Sequence, residues 1–318
     1  MLALVFPGQA SQAVGMGADL RAASASAREL FALADRITGL PLAQLCAAGP
    51  LERLTETDVA QPAVVATSLA ALASLRERID PDAWQPAAVA GHSVGEITAC
   101  VAAGAVDEAS ALRLVHVRAQ AMAAACAAID GSMAAVIGLD LANLSEACEA
   151  VRAEGDGSVE IANLNAPGQL IISGDRRAVE RAGQRARAAG ARRVLPLNVG
   201  GPFHSTYMRP TAAAFERALA ETHFEPARVP LVANATADVL TQPDALRHAL
   251  AVQLYSPVRW IECLERLAEL GCDRFLEVGP GTVLAGLVRR TLPQARVASF
   301  GSLADLAAAR SLLLDEAG

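Results

Sequence analysis

Residues 91–95 read Gly91-His92-Ser93-Val94-Gly95, a serine flanked at two residues' distance by glycines. An apolar stretch, Ala87 to Ala90, precedes it, and a helical pattern, Glu96 to Ala103, follows. A G-x-S-x-G run between a strand and a helix is the setting of an activated serine nucleophile. The glycines permit a sharp turn that lifts the hydroxyl out of the sheet. The start of the helix then supplies N–H groups and a dipole that favour an anionic intermediate, with the Val94 N–H as the natural first donor. The plain alternative is a structural glycine turn that happens to contain a serine.

A serine hydroxyl needs a base. The chain has five histidines: His92, His116, His204, His223 and His248. His92 adjoins the serine, and neighbours on a tight turn diverge. His116 lies in a helical pattern, and His223 and His248 sit in polar stretches. His204 sits in the loop Gly200-Gly201-Pro202-Phe203-His204-Ser205, after a strand. Loops of this kind carry catalytic groups more often than helix faces do. Any pairing with Ser93 is made by the fold, and a surface histidine is the competing reading. No acid presents itself as a third member. Gln253 is a candidate orienter, through its side chain or its backbone carbonyl, so that a dyad would serve as a triad.

Arg118 is the third candidate. Its neighbours at helical spacing are Leu114, Val115, Ala121 and Met122, all apolar. A guanidinium on such a face is buried and needs a carboxylate. That carboxylate belongs either to an Asp or Glu of the protein or to a ligand gripped through two parallel hydrogen bonds. The second option implies an acyl group that carries its own carboxylate.

These groups need elements to hold them. Leu2 to Phe6 is an apolar strand ended by Pro7-Gly8. Helical patterns run through Arg21–Leu40, Gln61–Arg78 and Ala109–Ala128. After Gly131 come a strand (Ser132–Leu139), a helix (Leu141–Ala153), strands at Val159–Asn163 and Leu170–Ser173, a helix (Ala178–Ala189) and a strand (Arg193–Leu197). That β-α-β-β-α-β order is ferredoxin-like. Strands return at Val229–Ala233 and Arg274–Val278. The pattern predicts a large α/β domain, 1–128 and 198–318, interrupted by a small α+β subdomain, 129–197. A cleft between such units is a common ligand site.

Composition narrows the classes. With 318 residues, 53% hydrophobic and 19% charged, the chain can bury a sizeable core. Its formal net charge of −7, with arginines interrupted by acids and alanines, disfavours nucleic acid as a partner. Six scattered cysteines show neither metal-ligand spacing nor a disulfide framework, and a reducing cytoplasm is the expected setting. The N-terminus has no basic n-region of a signal peptide. The apolar run Val59–Leu75 is too short and too polar to span a membrane.

Several ordered motifs together resemble the malonyl-CoA:acyl carrier protein transacylases, including the free-standing acyltransferases of polyketide synthases. They are FPGQ at Phe6–Gln9, GHSVGE at Gly91–Glu96, VRAQAM at Val117–Met122, NLNAPGQLIISG at Asn163–Gly174, GPFHS at Gly201–Ser205, QLYSPVRW at Gln253–Trp260 and EVGPG at Glu277–Gly281. The resemblance covers nearly the whole chain. It implies an α/β-hydrolase-like core with an inserted ferredoxin-like subdomain. It implies that Ser93 is acylated, that His204 is its base, and that Gln9 joins Val94 at the oxyanion hole through its backbone N–H. It further implies that Arg118 holds the malonyl carboxylate, that Gln253 helps hold His204, and that Phe203 selects malonyl over methylmalonyl. Malonyl-CoA enters as substrate, and the phosphopantetheine arm belongs to the carrier protein, so no cofactor is implied. One departure is Ala10, where the family usually has glycine; a positive φ there would strain it.

Within this resemblance, fatty-acid synthesis competes with a trans-acting role in polyketide assembly. Ile161–Asn165 and His204–Met208 lean toward the latter. A transferase that charges a malonate decarboxylase is a third setting. From another class, a serine thioesterase or esterase would use the same turn, and a non-catalytic binding module is the remaining reading.

Overall fold

The computed structural model describes residues 1–155 and 157–315. Residue 156 of the expected small subdomain, and 316–318 at the end of the large one, lie outside the described residues. Among the described residues, ten strands form two sheets: β1 (Leu2–Phe6), β2 (Ala88–Gly91), β3 (Gly131–Ile137), β4 (Val159–Ala166), β5 (Gln169–Asp175), β6 (Arg193–Pro196), β7 (Leu231–Val232), β8 (Val239–Leu240), β9 (Arg274–Val278) and β10 (Arg296–Phe300). The larger sheet has the order β10-β9-β1-β2-β7-β8 and is parallel except for β8. The smaller is antiparallel, in the order β4-β5-β3-β6. Helices Leu141–Ala153 and Arg176–Ala188 fall within that second chain segment, in the ferredoxin-like sequence of elements.

Strand β1 reads Leu-Ala-Leu-Val-Phe and is buried on both faces, as a central parallel strand must be. Helix Thr57–Arg78 is buried along most of its length, with alanines throughout that let its neighbours approach. Against the expectation that its apolar run is too short and too polar, the helix is long and apolar enough to cross a membrane, yet 89% of its most apolar stretch lies inside the protein.

Three expectations need correction. The long helix begins at Thr57 and runs through Pro62, where a start at Gln61 would have kept that proline in the first turn. Burial offsets the backbone bond that proline cannot make. The expected strand Val229–Ala233 shrinks to Leu231–Val232, because Pro230 has no N–H to pair and contributes only its carbonyl, to Val89. Strand β10, Arg-Val-Ala-Ser-Phe, is an edge strand that the pattern missed. Only Phe300 at its end is buried, so no continuous apolar run marked it.

Strand β4 is bonded to the segment that follows helix Pro243–Gln253. The Leu164 N–H donates to the Val258 carbonyl at 2.9 Å, and the Val258 N–H donates to Ala162 at 2.8 Å. The segment after Gln253 is thereby tied to β4.

The turn after β2 is tighter than any side chain allows. A Cβ on Gly95 would lie 2.3 Å from the Phe6 carbonyl oxygen, and one on Gly91 would lie 2.0 Å from the Gly95 backbone. Gly95→Ala should therefore cost about 3 kcal/mol or more in urea unfolding, since backbone cannot step aside. Gly286→Ala is the control. It sits in helix Val283–Thr291, where a new methyl meets nothing within 4 Å, so it should add about 0.5–1 kcal/mol.

Candidate active site

The site lies at the carboxyl ends of adjacent parallel strands, the usual ligand position in such a sheet. Strand β1 delivers Gln9, β2 delivers Ser93, and β7 delivers Asn234. A Cβ on Gly8 would meet the His92 carbonyl oxygen at 2.6 Å, so the β1 loop lies directly against the serine turn.

Ser93 and His204 meet. Ser93 Oγ is 2.7 Å from His204 Nε2. His204 Nδ1 is 2.9 Å from the Gln253 carbonyl oxygen. A carbonyl only accepts, so Nδ1 carries the proton and Nε2 is left free to accept from the serine. Gln253 thus orients the ring through its backbone and not through its side chain. Both Ser93 (φ 51°) and His204 (φ 56°) occupy the left-handed region. Non-glycine residues there store strain and persist only where surrounding contacts hold them.

For Ser93 the holding contacts come from Asn234. Its Oδ1 accepts the Ser93 N–H at 2.6 Å, and its Nδ2 donates to the Gly91 carbonyl at 2.7 Å. Asn234 clamps both ends of the turn, and sequence reasoning missed it. The only signal was its place just past a short strand.

Arg118 is fully buried, as its apolar helix face requires. Its guanidinium donates to Gln61 Oε1 at 2.5 Å, to Gln253 Oε1 at 3.0 Å and to Ser93 Oγ at 3.2 Å. All three partners are neutral. No carboxylate pairs with it directly among the described residues. Burial lowers its pKa to about 10, and the charge of Glu96 acts the other way. Gln61 was also missed as a site residue; its signal was an amide inside an otherwise apolar helix. It reaches on to Gln9, whose Oε1 lies 3.4 Å from Gln61 Nε2.

Burial pushes the His204 imidazole down to about 3, and the Arg118 charge pushes in the same direction. Both effects favour the neutral ring, the form that can accept the serine proton. Val94 is buried, and neither its N–H nor that of Gln9 meets an acceptor among the described residues. Phe203, next to His204 in the same loop, packs in a cluster with Met122, Met133, Ala162, Ile171 and Met208. His92 does diverge from the serine: its Nε2 meets Asn165 Oδ1 at 2.8 Å and its ring stands edge-on to Trp260. His223 pairs with exposed Glu225, and His248 is exposed. Among the described residues, no group of three or more His, Cys, Asp or Glu could hold a metal.

Comparison with known proteins identifies the family. The acyl transferase domain family matches residues 3–310. The malonyl CoA-acyl carrier protein transacylase of Escherichia coli (strain K12) is 42% identical over 310 residues, covering 98% of this chain and 99% of the relative. An acyl carrier protein S-malonyltransferase from Vibrio cholerae superposes with a TM-score of 0.91 at 41% identity, over 97% of this chain and 99% of that one. A malonyl-transacylase solved in complex with its type II polyketide synthase acyl-carrier protein gives a TM-score of 0.92 at 39% identity, over 99% of both chains. The chain belongs to the acyl transferase family and, within it, to the malonyl CoA-acyl carrier protein transacylases.

Proposed function

We propose that this chain moves a malonyl group from malonyl-CoA to the phosphopantetheine thiol of an acyl carrier protein, through an ester on Ser93. The observation that carries this reading is Arg118, a buried guanidinium 3.2 Å from the nucleophile with only neutral partners. A buried charge without a counter-charge is costly. A carboxylate on the acyl group supplies that counter-charge. A thioesterase or esterase acting on uncharged acyl chains has no use for it.

The chemistry follows from the distances. His204 Nε2 takes the Ser93 proton as Oγ attacks the thioester carbonyl. The oxyanion forms against the open N–H groups of Gln9 and Val94. Collapse expels coenzyme A, whose thiolate takes the proton from His204. In the second half, His204 removes the proton of the carrier thiol, the thiolate attacks the ester, and Ser93 recovers its proton. The substrate also adjusts the base. An imidazolium next to an uncompensated Arg118 is disfavoured, so a malonyl carboxylate that neutralises Arg118 eases proton transfer to His204. An acetyl group does not. Phe203, adjacent to His204 in the same loop, would crowd an α-methyl branch and favour malonyl over methylmalonyl.

The same carrier arm serves fatty-acid and polyketide assembly, and this site suits either. A cytoplasmic location fits six cysteines that are all unpaired.

Ala10 follows the oxyanion loop at φ 80°, in the region where the departure from glycine matters. The strain costs about 1–2 kcal/mol.

Labelled malonyl-CoA tests the reaction. The protein should hold stable label that moves to added holo carrier protein; prompt release of malonate would show a hydrolase instead. Arg118→Ala should lower malonyl kcat/KM by about 100-fold while sparing or raising acetyl transfer; equal losses for both acyl groups would refute the carboxylate clamp. His204→Ala should slow single-turnover acylation by about 100-fold or more with coenzyme A binding retained. Ala10→Gly should raise unfolding stability by about 0.5 kcal/mol, the relieved strain exceeding the entropy that glycine adds to the unfolded chain; lower stability would show that the loop needs the methyl.

A further inference from the structure

Glu96 is fully buried and touches neither Ser93 Oγ nor His204. Its Oε2 accepts two hydrogen bonds, from the Asn234 N–H at 2.9 Å and from Gln253 Nε2 at 2.8 Å. The same Gln253 Nε2 donates to the Ser93 carbonyl at 2.9 Å. Both amide protons of Gln253 are thus committed to acceptors, one a carboxylate and one a carbonyl. The other end of that amide, Oε1, faces the Arg118 guanidinium at 3.0 Å. Turned end for end, the amide would set an NH2 group against a guanidinium and an oxygen against a carboxylate. Both contacts would become repulsive.

We propose that Glu96 is a positioning residue for acyl selection, locking the Gln253 amide with its oxygen toward Arg118 so that the guanidinium is aimed at the acyl carboxylate. This rests on the malonyl-transfer reading above. One residue then links the three parts of the site. Through Asn234 it steadies the serine turn, and through Gln253 it steadies both Arg118 and the segment whose carbonyl orients His204. Burial pushes the Glu96 carboxyl up to about 7, while the bonds from Asn234 and Gln253 and the charge of Arg118 oppose that rise. The other titratable groups that feel its charge are Cys100 on its own helix and Cys263 on helix Trp260–Glu269, both with thiols pushed well up by burial.

Two substitutions separate position from charge. Glu96→Gln keeps an acceptor oxygen at the same reach and removes the charge. Glu96→Asp keeps the charge and withdraws it by one methylene. Positioning predicts that Glu96→Gln retains the malonyl-over-acetyl preference within about threefold. Glu96→Asp should lose about tenfold or more of it, as a raised KM for malonyl-CoA in excess of whatever loss both acyl groups share through Asn234 and His204. The reverse order, two variants equal to the parent, or equal losses for both acyl groups would each overturn the proposal. Side-chain amide exchange in the parent protein, with the Gln253 NH2 signal assigned through Gln253→Leu, keeps the test open should Glu96→Asp not fold. Slow exchange is expected, and fast exchange of that NH2 group overturns the lock. A parent enzyme with no malonyl preference would sink the functional reading itself, whereas a parent with the preference puts only Glu96 at issue.

Discussion

A guanidinium sealed from water beside a serine hydroxyl is the constraint around which the site is built. In water its charge would be solvated. Inside the protein it must be held by dipoles until a counter-charge arrives. Gln61 and Gln253 provide those dipoles from helix Thr57–Arg78 and from the end of helix Pro243–Gln253. Amides can support a cation without cancelling it. A carboxylate at either position would have quenched the charge and left nothing for a substrate to meet. Buried Glu96 stands one amide further away, bonded to the Gln253 Nε2 whose Oε1 partner faces Arg118.

Strain is the second organising feature. Ser93 and His204 both sit at positive φ. Local preference alone would release them, so each is held from elsewhere in the chain. Asn234 grips the serine turn from the end of β7. The Gln253 carbonyl grips His204. Gln253 serves in both roles, with its backbone on the base and its side chain between Arg118 and Glu96. Removing it would disturb several interactions at once, and their energies would not add.

The small subdomain contributes more than a cover. Asn165 on β4 holds His92 away from Ser93, and Val258 joins β4 to the segment that follows Gln253. Strand β4 and the segment that follows Gln253 are therefore linked by backbone hydrogen bonds.

The amino-acid sequence by itself determined the elements with strong local signals. The serine turn was legible because two glycines between an apolar strand and a helix leave few other conformations. Arg118 was legible because helical spacing surrounds it with apolar neighbours. The ferredoxin-like order was legible from alternating short apolar runs. The edge strand β10, the shortened β7 and the start of the long helix were not, since edge exposure, a missing N–H and burial that outweighs a proline are decided by neighbours. The pairing of Ser93 with His204 was beyond local reading for the same reason. So were the Asn234 clamp, the supporting role of Gln61 and the choice of backbone over side chain at Gln253. Each depends on a distance between residues far apart in the chain. Hydrogen bonds act over about 3 Å, and only the folded arrangement brings such groups that close.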